Sequence, residues 1–168
     1  NDICDTGSGK STSGNYAFTE AKDSGSNTDC NRGFYEYSLT SINDAVTVTD
    51  VDFTVYIDSV SSPANCDIVG MGSTSGTATA SSIFTAITGG TVYVNNNTWC
   101  NTVGSIAIDL GTSADSDLDA KLTTDDFFAI GTRAESEVVD GTLESSLPRT
   151  VESATDPVLD VTYTCAVT

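Results

Sequence analysis

The chain has 168 residues, 24 acidic and 6 basic side chains, no histidine and a formal net charge of −18. A chain of this length forms one domain and buries roughly 70% of the surface that its unfolded form exposes. Histidine general-base catalysis and histidine-ligated metal centres are excluded, and a field of this sign repels phosphate, which argues against nucleic-acid binding and docking on anionic lipid.

Ser (21) and Thr (26) make up more than a quarter of the chain. Apolar content of 38%, arranged in periodic runs, predicts a packed domain and not a disordered one. Residues 1–30 are polar and rich in Gly, Ser and Asp, with a first strand expected at Tyr16, Ala17 and Phe18. This segment is a candidate for exchange with a neighbouring subunit. Residues 33–39 alternate, with Tyr35, Tyr37 and Leu39 on one face and Phe34 and Glu36 on the other.

Residues 46–60 carry the clearest signal. Val51, Phe53, Val55 and Ile57 share one face, and Asp52, Thr54, Tyr56 and Asp58 share the other. Val46 and Val48 fall out of phase with Val51, which predicts one extra residue at Thr49–Asp50, as a bulge or corner. A short strand is expected over 67–72, and Ile83, Phe84 and Ile87 stand at helical spacing. Thr91 to Val94 predicts a strand and Asn95 to Asn97 a polar turn. Strands are expected at 105–110 and 127–130, with one or two helical turns over 115–122 between them. Residues 134–157 are polar, and a last strand places Leu159, Val161 and Tyr163 inward. Eight to ten short strands in all predict an all-β, antiparallel β-sandwich of jelly-roll type, one domain over residues 1–168.

Five cysteines, Cys4, Cys30, Cys66, Cys100 and Cys165, are too widely spaced for a metal knuckle or redox pair. In this setting they read as disulfide candidates in an oxidising compartment, with one thiol left over. The termini of a sandwich often meet, which favours a Cys4–Cys165 bridge, although connectivity stays open. The chain starts at Asn1 without a charged-then-apolar leader, and no run approaches the ~18 apolar residues of a bilayer span. The expected location is therefore secreted, extracellular or at a cell surface.

Four motifs bear on chemistry. Gly7 to Thr12 (GSGKST) echoes a phosphate loop, but Cys4 stands where its first Gly belongs, and no buried strand precedes it. Asp115, Asp117, Asp119 and Asp126 echo a calcium loop, with Ala120 in place of the turn Gly and Asp126 in place of the bidentate Glu. The four are a candidate Ca²⁺ cluster, weighed against a solvated acidic turn. Tyr35, Tyr37, Tyr56, Tyr93 and Trp99 are candidates for a sugar-stacking platform, weighed against ordinary packing. Asn96-Asn97-Thr98 is an N-glycosylation tripeptide. Ser and Cys nucleophiles lack a histidine partner, so no catalytic residue is assigned.

The stretch RGFYEYSLTSINDAVTVTDVDFTVYI, followed by SIFTAITGGTVYV, SIAIDLG, FFAIGTRAE and PVLDVTYT, resembles secreted jelly-roll modules of the DNRLRE and carbohydrate-binding-module-like kind. The likeness spans residues 32–165. It departs where the family's opening Phe-Asp is Tyr37-Ser38, and the five cysteines are not a family feature. The resemblance implies an antiparallel sandwich in a prokaryotic or viral extracellular protein, with no catalytic motif to carry over. The function expected is a non-enzymatic structural subunit that joins copies of itself into a filament, sheath or layer. The alternative is a carbohydrate-binding or adhesion module with polysaccharide as partner.

Overall fold

The computed structural model describes residues 16–18, 20–23, 28–60, 65–135, 149–151 and 156–165. The strands are β1 (Tyr16–Phe18), β2 (Glu20–Asp23), β3 (Thr28–Asn31), β4 (Gly33–Ser38), β5 (Val46–Ser59) and β6 (Cys66–Gly70), then β7 (Val92–Asn97), β8 (Gly104–Asp109), β9 (Phe127–Ala134), β10 (Arg149–Val151) and β11 (Val158–Cys165). Two helices interrupt them, α1 (Ala80–Gly89) and α2 (Gly111–Lys121). One sheet runs β1-β10-β5-β11 with β8 also on β5; the other runs β4-β9-β6-β7; β2 and β3 pair with each other. Every pairing is antiparallel. From β4 to β10 the chain passes repeatedly from one main sheet to the other, and the product is the all-β sandwich that the alternation predicts.

β5 organises the larger sheet. β11 pairs with residues 46–54 of β5 and β10 with 57 and 59, so these two strands follow one another along one edge. β8 pairs with residues 52–57 on the opposite edge. The register slips by one residue at Thr49, between the pairs Val48–Tyr163 and Asp50–Thr162. This is the bulge that the phase change in the sequence requires, and the Thr49 hydroxyl spans it by donating to the Thr162 carbonyl at 3.1 Å.

Val51, Phe53, Val55 and Ile57 of β5 meet Tyr35 of β4, Ile68 of β6, Val94 of β7 and Phe128 and Ile130 of β9, and this is the core between the sheets. Leu110, Ala114 and Leu118 close one end of it. A second cluster lies on the far side of the four-stranded sheet, where Ile83 and Ile87 of α1 cover Val69, Met71 and Ala129. β6 is consequently buried along its whole length, as is β9 after its first residue. Close approach of α1 requires a bare backbone at Gly131, because a Cβ there would stand 2.3 Å from Ile87 Cγ1. Thr79 caps α1, its hydroxyl accepting from the Ser82 N–H at 3.2 Å.

Two expectations need correction. Asn95 to Asn97 continue β7 and do not form a turn, because the ladder to β6 extends as far as Cys66–Asn97. Tyr163 is 44% exposed and does not join the core on which Leu159 and Val161 pack, although it stands opposite buried Val48 beyond the slip.

Candidate functional site

The aspartates of the larger sheet form the densest concentration of chemistry among the described residues. Asp50 and Asp52 are two apart on β5 beyond the bulge and share a face. Register places Asp109 of β8 and Asp160 of β11 directly opposite Asp52, one on each side. One carboxylate oxygen each of Asp50, Asp52 and Asp109 lies within 4.8 Å of the other two. Desolvation, then the charges of Asp50, Asp109 and Asp160, raise the Asp52 carboxyl above the ordinary range. Like charges facing each other across a ladder are destabilising, so this seam is held against its own repulsion. The three oxygens are hard donors of the kind that suits a divalent cation, though fewer than the six to eight that Ca²⁺ takes.

β8 stops at Asp109, and the edge of β5 below Asp52 has no strand partner on that side. Helix α2 takes its place. Leu110 N–H donates to the Val51 carbonyl at 3.0 Å, and Val51 N–H donates to Asp115. Val48 N–H donates to Asp119 Oδ1 at 2.8 Å. Asp109 Oδ1 accepts from Gly111 N–H at 2.7 Å and sets the start of the helix, where Gly111 adopts φ 74°. The side chains of a helix thus cap open backbone groups of a strand. The other oxygen of Asp115 is buried without a hydrogen-bond partner. Desolvation, followed by Asp50 and Asp109, raises this carboxyl too, although the Val51 bond works the other way.

These contacts overturn the calcium-loop reading. Asp115, Asp117 and Asp119 lie on α2, where 100° per residue turns Asp117 away from its neighbours. Asp117 instead accepts from the Tyr93 hydroxyl at 2.8 Å, and Asp126 is exposed ahead of β9. The four do not converge. The carboxylates that do, Asp50, Asp52 and Asp109, were legible only in part: Asp50-x-Asp52 in an alternating run marks a shared face, but the third member depends on register.

The sugar platform is likewise dismantled. Tyr35 is 7% exposed with its ring centroid 5.0 Å from that of Phe53, and Trp99 is 5% exposed in the core. Tyr37 is half-buried against the same core. Tyr93 stacks on Phe128 at 6.2 Å between centroids, and burial together with Asp117 pushes its phenol upward. Tyr56 is half-buried on the opposite face of β5 from the core. No common aromatic surface is left.

Cys66 and Cys100 form a disulfide that ties β6 to the turn after β7. Cys30 is also disulfide-bonded. Cys165 is a free and exposed thiol, so the favoured Cys4–Cys165 bridge is not made. Cys4 and the GSGKST motif lie outside the described residues. Asn96 is exposed on β7. No helix of the described residues is long and apolar enough to cross a membrane. No protein-family model matches the chain, and a search of curated proteins finds no significant match.

Proposed function

We propose that the chain is a non-enzymatic structural subunit of an extracellular assembly, joining copies of itself through the outer edge of β11. The observation that carries this reading is β11 itself. Among the described residues it pairs only with β5, and it exposes Val158 and Tyr163 at 44% each, together with the free thiol of Cys165. Such an edge is a template for pairing with another chain. The Cys66–Cys100 disulfide supports an oxidising, extracytoplasmic location. Burial of Tyr35 and Trp99 weighs against the carbohydrate-binding alternative. The net charge of −18 opposes association, so assembly needs salt or acid to develop.

Sedimentation and negative-stain micrographs across ionic strength and pH test the reading. Ordered oligomers or filaments are expected, and Tyr163→Lys, which places a charge on the edge, is expected to reduce them. A monomer under every condition, or turnover of a substrate by that monomer, defeats it.

A further inference from the structure

The chain contains one N-x-S/T tripeptide, Asn96-Asn97-Thr98. The structure places Asn96 and Thr98 on the surface, at the end of β7, the outermost strand of its sheet. Asn96 adopts φ 48°, in the left-handed region that asparagine tolerates better than most side chains. Its backbone N–H donates to Asp67 Oδ1 at 2.9 Å, and its Oδ1 accepts from Asn65 Nδ2. The corner is therefore held without its amide nitrogen, which meets no acceptor among the described residues. The next turn is fixed independently, by Asn97 Oδ1 accepting from Trp99 N–H at 3.0 Å and by the Cys66–Cys100 bridge.

We propose that Asn96 carries an N-linked glycan and that this glycan closes the β7 edge to strand addition. The second half rests on the assembly reading above. In the transfer, Asn96 Nδ2 bonds to the anomeric carbon of a sugar carried on a lipid pyrophosphate. The carbon–oxygen bond to that phosphate breaks, and the lipid pyrophosphate leaves with the electron pair. One amide proton passes to the transferase's base, and no oxidation occurs. Oδ1 keeps its bond to Asn65, so the corner survives the modification. A bulky, hydrated group on an edge strand blocks pairing there, as charge or proline does on other edges.

Secretion of the chain from a host with N-glycosylation machinery, followed by intact mass and peptide mapping, tests the first half. A mass excess is expected that an N-glycan amidase removes, leaving Asp at position 96. Thr98→Ala is expected to lose the excess and keep its unfolding transition, and Asn96→Gln, which also gives up the Asn65 contact, is expected to lose the excess. Folded, secreted protein with an unmodified Asn96 peptide overturns the proposal. Sedimentation tests the second half: Thr98→Ala is expected to shift to larger, irregular particles. Particle distributions identical to the glycosylated parent overturn edge closure. A parent that never assembles defeats the assembly reading and edge closure together, while the glycan stands or falls on mass alone.

Discussion

Arg133 and Asp67 form an ion pair inside the molecule, Nε to Oδ2 at 3.0 Å, with side chains only 6% and 3% exposed. The same guanidinium donates through Nη1 to the carbonyls of Ile87 and Thr88 at 3.1 and 2.9 Å. These are unpaired carbonyls at the C-terminal end of α1, which the charge caps. The other oxygen of Asp67 holds Asn96 N–H. One buried pair thus joins β9, β6, α1 and β7.

Removing one partner of such a pair strands a charge in a dry setting. Arg133→Met is expected to lower stability by about 3–5 kcal/mol in urea denaturation. The double variant with Asp67→Leu is expected to lose less than the sum of the singles, because no unpaired charge remains. Strict additivity of the two would contradict the pairing.

Gly131 is required by contact. Gly131→Ala drives a Cβ into Ile87 and is expected to cost about 1–3 kcal/mol. In an Ile87→Ala background the same change should cost much less. Equal costs in both backgrounds, from thermal unfolding, would show that Ile87 is not the obstacle.

The carboxylate seam sets the response to pH. Asp52 and Asp115 have folded-state pKa values raised above the ordinary carboxylate value of 3.8. The folded state therefore holds more protons than the unfolded one between that value and the raised ones. Stability falls as pH rises through this window, and the molecule is firmer in mild acid than at neutrality. The lowered pKa of Asp125, beside Lys121, acts in the opposite sense at a single exposed site. Asp160→Thr removes the charge opposite Asp52 and is expected to add about 0.2–1 kcal/mol at neutral pH while flattening the profile. A pH–stability profile unchanged in this variant would rule the seam out as its source.

Asp119 and the Cys66–Cys100 bridge test the two ends of the sandwich. Asp119→Ala leaves the buried Val48 N–H without its acceptor and is expected to cost about 1–3 kcal/mol. The double Cys66→Ala, Cys100→Ala variant is expected to lose about 2–4 kcal/mol by freeing a loop of 34 residues. Chemical denaturation of each variant reads both values.

Alternation made β5 and its bulge legible, and Ile83, Phe84 and Ile87 made α1 legible, because side-chain period is a local property. What the sequence hid depends on partners far along the chain. Asp109 joins Asp50 and Asp52 only through the β5–β8 register. Helical turns over 115–122 were legible and α2 contains them, but Asp115-x-Asp117-x-Asp119 still echoes a calcium loop until Ala114 and Leu118 set the buried face of that helix. Asn95 to Asn97 have turn composition, but pairing with β6 draws them into a strand. Trp99 and Tyr35 have the amphipathic bodies of a binding surface, and only the packed neighbours reveal them as core.

The eight residues of β11 lie side by side with β5 in a continuous antiparallel register, broken only at the bulge. A tension applied along β11 at Cys165 and resisted at the Ser59 end of β5 meets this ladder in shear, so its hydrogen bonds share the load. Force arriving at Cys165 passes first to Val46, at the start of the longest strand among the described residues, and from there into the apolar interior. Exposed Cys165 is thereby a mechanical handle on the most deeply anchored strand among the described residues.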